Sequence, residues 1–127
     1  MTGLRVRTFD HPDEVRTFAD KSTWEALGLD GVSVGRMVLK PGWRWSEHNR
    51  PVVGGDSCAS RHLGYVLSGR LAFRMNDRTS AEAGPGSLVE VAPGHDAWVV
   101  GQEPCVMIDF GSVYSLRAAE PLAAATR

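Results

Sequence analysis

Between Gly54 and Ser68 the chain reads Gly54-Gly55-Asp56-Ser57-Cys58-Ala59-Ser60-Arg61-His62-Leu63-Gly64-Tyr65-Val66-Leu67-Ser68. On extended backbone, successive side chains alternate between two faces, so Asp56, Cys58, Ser60 and His62 share one side. A carboxylate, a thiol and an imidazole then face one space. Thiolate and imidazole suit Zn and other late first-row ions, and a carboxylate widens the choice toward Fe or Mn. The same parity continues through Gly64, Val66 and Ser68, small groups that leave room beside His62, whereas Leu63, Tyr65 and Leu67 lie opposite. A second imidazole, His95, follows a Pro93-Gly94 turn at the mouth of a strand, where ligand groups often sit. Cys58, His62 and His95, with Asp56 or Glu47 as a fourth donor, form a reasonable set for a divalent ion. The Cys/His donors favour Zn, with Fe, Ni or Mn as the other candidates.

Each of these side chains also has a packing role open to it. His62 can line a core while hydrogen-bonded to Tyr65 or to a carbonyl, and His95 beside Asp96 can brace a turn. Cys58 can be a buried thiol, and Asp56 after two glycines can be a turn residue. On a strand over Arg44–Glu47, Trp43 and Trp45 share a face and make either an apolar plug or a stacking wall for an organic ligand. Glu47 shares their parity and on that strand reaches the interior as a ligand or general base. His11 and His48 read as surface residues. Cys105 opens an apolar strand and reads as core.

The texture of the chain changes near Gly31. Before it, the pattern predicts a helix over Pro12–Leu27: Asp10 can cap, Pro12 suits a first turn, Asp13 and Glu14 favour the positive end of the dipole, and Gly28 stops the run. Val15, Phe18 and Ala19 form its apolar stripe. After Gly31 come short β-rich segments, expected as strands at Ser33–Leu39, Arg44–Glu47, Leu63–Leu67, Leu71–Met75, Ser87–Val91, Ala97–Val100 and Val106–Phe110. Lys40-Pro41-Gly42, Ser68-Gly69, Asn76-Asp77, Gly84-Pro85-Gly86, Pro93-Gly94 and Glu103-Pro104 punctuate them as turns. Leu71, Phe73 and Met75 alternate with Ala72 and Arg74, and Val106, Ile108 and Phe110 alternate with Met107 and Asp109, so each strand has one buried and one wetter face. The expected division is a helical extension over 1–30, a β-barrel over 31–111 and an Ala-rich tail over 112–127.

The chain has 127 residues, 43% of them hydrophobic and 23% charged, with a net charge of −1. That size fits one domain with a real core. The arginines are scattered rather than gathered on one face, which argues against nucleic acid as a partner. No apolar run is long enough to span a bilayer, and no apolar stretch with a cleavage site opens the chain; a cytoplasmic location is the expectation. The cysteines Cys58 and Cys105 are too few for a disulfide scaffold.

Gly69, Gly86 and Gly94, in their hydrophobic frame, resemble the two sequence motifs of the cupin superfamily. Gly69 matches the closing glycine of the first motif, which puts His62 at the position of the family's glutamate ligand and Asp56 and Cys58 at its two histidine positions. In the second motif Gly86 and Gly94 match, the proline is displaced to Pro93, the ligand position holds Ala97 and the closing asparagine is Gly101. His95, two residues before Ala97, is the residue that can supply the missing imidazole. The resemblance spans roughly 31–110. It implies an all-β, cupin-type double-stranded β-helix (jelly-roll) barrel, here with an N-terminal accessory helix, and a homodimer. It further implies a metal-binding enzyme of small molecules, of dioxygenase, isomerase, lyase or cyclase type. Glu47 or a spare histidine would move protons, and Trp43, Trp45, Tyr65 and Trp98 would shape the pocket. A non-catalytic sensor or storage module for a metal or small ligand is the alternative, motivated by the replaced ligands at 56, 58 and 97. A barrel serving only as a dimerisation scaffold is a third reading.

Overall fold

The computed structural model describes residues 3–110. They form β1 (Glu14–Thr17), β2 (Thr23–Leu29), β3 (Val32–Leu39), β4 (His62–Ser68), β5 (Arg70–Met75), β6 (Ser80–Ala83), β7 (Leu88–Val91), β8 (His95–Val100) and β9 (Cys105–Asp109). A single π-helical turn over Trp45–Asn49 runs into one α-helical turn, α1 (Arg50–Val53). The strands make two sheets, ordered β1-β2-β3-β9-β4-β7 and β6-β5-β8, and every pairing is antiparallel. Apolar residues from both sheets, among them Leu39, Val66, Leu71, Phe73, Val91, Ala97 and Met107, join Trp43 and Trp45 in one buried cluster. The architecture is all-β, as the turn-divided pattern after Gly31 indicates. None of the described helices is long and apolar enough to cross a membrane.

Three expectations change. The segment Pro12–Leu27 is not a helix: β1 and β2 extend the sheet that β3 begins. Asp20 accepts hydrogen bonds from the Ser22 amide at 3.0 Å and its hydroxyl at 2.9 Å, and Lys21 adopts a φ of 76°, so the chain reverses where a helix would continue. Val15, Thr17, Thr23 and Trp24 are β-branched or aromatic, and pairing with β3 along all of β2 outweighs the helical spacing. Asp13, expected in a helix's first turn, instead accepts from Arg7 and from the Gly28 amide.

The strand over Arg44–Glu47 is also replaced. Arg44 alone bridges to Trp98, and the chain then coils, because the Asp96 carboxylate accepts both the amide and the hydroxyl of Ser46, at 3.0 and 2.8 Å. The His48 ring accepts the Arg44 amide at 3.0 Å, a local side-chain bond that competes with sheet pairing. Finally, the inward face of β9 is Cys105, Met107 and Asp109, with Val106 and Ile108 turned outward and half-buried. β6, a Ser-Ala-Glu-Ala edge strand paired to β5, carries too little apolar signal to show in the sequence. The Ala-rich tail lies outside the described residues.

Gly69 illustrates why the punctuation is fixed. Its φ is 75°, and a Cβ there would stand 2.2 Å from the Pro104 carbonyl oxygen, so only glycine lets the β4–β5 turn pass beneath the segment entering β9.

Candidate functional site

β9 returns between β3 and β4, and this crossing assembles the site. It sets Asp109 opposite Gly64 on β4, within reach of His62 at the start of that strand. The segment before β4 is fastened to the other sheet: the Cys58 amide donates to the His95 carbonyl at 2.8 Å, and the Gly94 amide donates to the Cys58 carbonyl at 2.7 Å. Cys58 and His62, from one stretch of chain, therefore converge with His95 at the start of β8, and one donor atom from each lies within 4.8 Å of the others.

The ring nitrogens are assigned by their partners. His95 Nδ1 lies 2.7 Å from the Ala92 carbonyl oxygen, which only accepts, so Nδ1 carries a proton and Nε2 is left for the site. His62 Nδ1 is 3.1 Å from an Asp109 carboxylate oxygen, and its Nε2 is 3.6 Å from the Cys58 sulfur. The two rings meet edge to face with centroids 5.3 Å apart, and the Phe73 ring stands 6.2 Å from His95.

Electrostatics follow from this geometry. Burial works against a Cys58 thiolate, but hydrogen bonds from His62, His95 and the Ser60 backbone, with the charge of His62, bring the thiol down to about 6. Burial likewise works against a charged His62, yet Asp109 and Cys58 outweigh it and raise the imidazole to about 9. Among the described residues Cys105 has no such neighbours, and burial pushes it up to about 11, as befits an inert core thiol.

The donors fit a metal ion. With bonds of roughly 2.0–2.3 Å, tetrahedral coordination by nitrogen and sulfur needs donor separations of about 3.3–3.8 Å; the 3.6 Å between Cys58 and His62 lies in that range, and the cluster as a whole spans up to 4.8 Å, so the side chains close somewhat on an ion. Metal-binding histidines commonly donate their far N–H to a carboxylate or a backbone carbonyl, the two kinds of partner that His62 and His95 have. The cluster could hold an ion with three protein donors and a fourth side open.

That open side meets a cavity of about 790 Å³ between the sheets, bordered by Trp43, Trp45, Phe73 and Met107 as well as by the three donors. Trp43 is fixed there by its indole N–H, which donates to Asn49 at 2.9 Å. Other side chains named from the sequence lie elsewhere. Asp56 is exposed in the loop before Cys58 and outside the donor cluster. Glu47, carried outward by the π-helical turn, has a side chain 65% exposed, 3.8 Å from Arg44. Tyr65 is 40% exposed on the outer face of β4. Trp98 packs under the Arg44 guanidinium, 4.4 Å from its ring centre, and does not border the cavity. Asp109 was missed as a site residue. Its signal was a carboxylate sharing parity with Cys105 and Met107, because a buried acid needs a partner.

No protein-family model matches the sequence, and no curated protein matches it. Solved structures do. A cupin-like protein from Thermotoga maritima is 17% identical, with a TM-score of 0.53 over 78% of this chain and 74% of that one. A Rhizobium leguminosarum protein of unknown function is 18% identical, with a TM-score of 0.57 over 85% of this chain and 95% of the other. An oxalate decarboxylase from Lactobacillus farciminis, solved as a formate complex, is 13% identical with a TM-score of 0.54; the match takes 85% of this chain and 33% of the decarboxylase. Two antiparallel sheets that line a shared cavity, together with these likenesses, give this chain the cupin fold.

Proposed function

We propose that this chain is a metal-dependent cupin acting on a small molecule, with one divalent ion held by Cys58, His62 and His95. The donor set favours Zn, since it combines a thiolate with two imidazoles. One observation carries the reading: three donors converge at a cavity wall while Asp109 and the Ala92 carbonyl hold the far nitrogens of both rings. When bound, the ion would supply Lewis-acid polarisation of a carbonyl or hydroxyl. Asp109 holds His62 with Nε2 aimed at Cys58, the Ala92 carbonyl holds His95, and the tryptophans keep water out of the apolar part of the cavity. The free thiols of Cys58 and Cys105 suit a reducing compartment, and we propose a cytoplasmic location.

The metal content of protein purified without added metal tests this, with Cys58→Ser, His62→Ala and His95→Ala measured alongside. About one ion per chain is expected, bound at least tenfold more weakly in each variant. Unchanged affinity in all three would remove the site.

A second reading, a binding module without turnover, draws support from Glu47. With that residue outside, the titratable groups bordering the cavity are the donors, Asp109, Arg16 and Arg61, so a separate general base is missing among the described residues. Substrate-free proton exchange at a bound ligand, followed by NMR, separates the readings: exchange supports the enzyme, and a bound ligand that never exchanges supports the module. We also propose the homodimer, supported by Tyr65, Leu67 and Leu88, which lie exposed on adjoining β4 and β7 at the sheet edge.

A further inference from the structure

The cavity is chemically lopsided. Its polar groups gather at the Cys58, His62, His95 and Asp109 end, while Met37, Leu39, Trp43, Trp45, Phe73 and Met107 make the remaining wall largely apolar. Of the other polar side chains on its border, Ser60 is exposed, and Asn49, Arg16 and Arg61 are each engaged. Asn49 accepts the Trp43 indole N–H. Arg16 pairs with Glu14 at 3.1 Å and lies 5.4 Å above the Trp24 ring. Arg61 pairs with Glu90 at 2.8 Å. A sugar or a polyol set against the apolar part of this wall would give up its water there without meeting matching donors and acceptors, which costs about 1–3 kcal/mol for each unsatisfied group. An aromatic ring meets the opposite situation, with indole and phenyl faces for stacking and two thioethers for sulfur–ring contact. The volume, about 790 Å³, accommodates a molecule of one or two rings.

We infer that the natural ligand is a compact aromatic compound bearing one oxygen-donor group, its ring held between the tryptophan and methionine walls and its oxygens turned to the Cys58, His62, His95 end. The oxygen-binding half rests on the metal reading above; the ring-binding half rests on the wall alone.

Two hydroxamates with the same chelating head separate the halves. Zn-loaded protein should bind benzohydroxamate roughly 30-fold more tightly than acetohydroxamate, as expected for moving a phenyl group from water to an apolar wall. Calorimetry gives the ratio, and tryptophan fluorescence should change with the phenyl compound alone. Ala97 borders the cavity without offering a donor, so Ala97→Leu should keep its Zn and lose most of that preference. Toluene supplies the metal-free arm: it should alter the tryptophan fluorescence of chelator-treated protein, and glycerol should not. If Zn is not retained but toluene still binds, the metal reading fails and the aromatic pocket stands. Equal hydroxamate affinities, a preference that survives Ala97→Leu in folded protein, or no toluene binding would overturn the inference.

Discussion

A proton and a metal ion compete for the same lone pairs on Cys58 and His62. With the thiol at about 6 and the imidazole at about 9, the metal-free pair is thiolate and imidazolium through the neutral range. An entering ion then displaces one proton, from His62, so Zn affinity should rise about tenfold per pH unit from about pH 6 to 9 and more steeply below pH 6, where Cys58 must also lose its proton. Competition with a chromophoric chelator at several pH values checks the slopes. Thiolate absorbance near 240 nm in the metal-free protein should show one cysteine titrating near pH 6 and vanish in Cys58→Ser; a flat trace from pH 5 to 8 would refute the pairing. Stability has matching signs. Folded His62 binds its proton more tightly than the unfolded chain does, so its contribution is complete below about 6.5 and lost as pH rises through about 9. Cys58 runs the other way: its contribution is complete above about 9.0 and lost as pH falls through about 6. Asp109→Asn keeps the shape of the site and removes the charge behind His62, and should weaken metal binding about 10–100-fold.

At the scale of elements, the turns carry much of the specification. Gly69→Ala forces a side chain onto left-handed backbone and against the Pro104 carbonyl, and should destabilise the fold by about 1–3 kcal/mol, read as a shift of the denaturant midpoint with an unchanged slope. The same punctuation made β3, β4, β5, β7, β8 and β9 legible in the sequence to within a residue or two. What misled was amphipathic spacing without its tertiary context. Val15, Phe18 and Ala19 fit a helical stripe, but Lys21 turns the chain and β3 offers β2 a full ladder of backbone bonds. Trp43 and Trp45 do line the cavity, though not through strand parity: Asp96, fifty residues downstream from Ser46, bends the chain between them and Glu47. Pairings of that range leave little local trace. The donors Cys58 and His62 were legible because both lie on one short extended stretch, whereas Asp109 was hidden until β9 had a register.

For the molecule as a whole, the two-sheet architecture leaves the outer face of β4 and β7 uncovered among the described residues. Leu88 is 67% exposed there and lies in register with Tyr65. If this edge joins two copies, Leu88→Lys should yield a monomer in sedimentation velocity and leave metal content unchanged; a wild-type chain that sediments as a monomer at all concentrations would remove the dimer. The cavity depends on the same architecture, because its walls come from opposite sheets and the donors span both.

The reciprocal amide bonds between Cys58, Gly94 and His95 have one more implication. They latch the donor-bearing loop to β8 through the main chain, so the seat for an ion exists before any ion arrives. Loading should then be fast and cause little heat-capacity change, unlike a zinc finger, whose folding waits for its metal. Hydrogen exchange should find the amides of Cys58 and Gly94 as protected after chelation as before it.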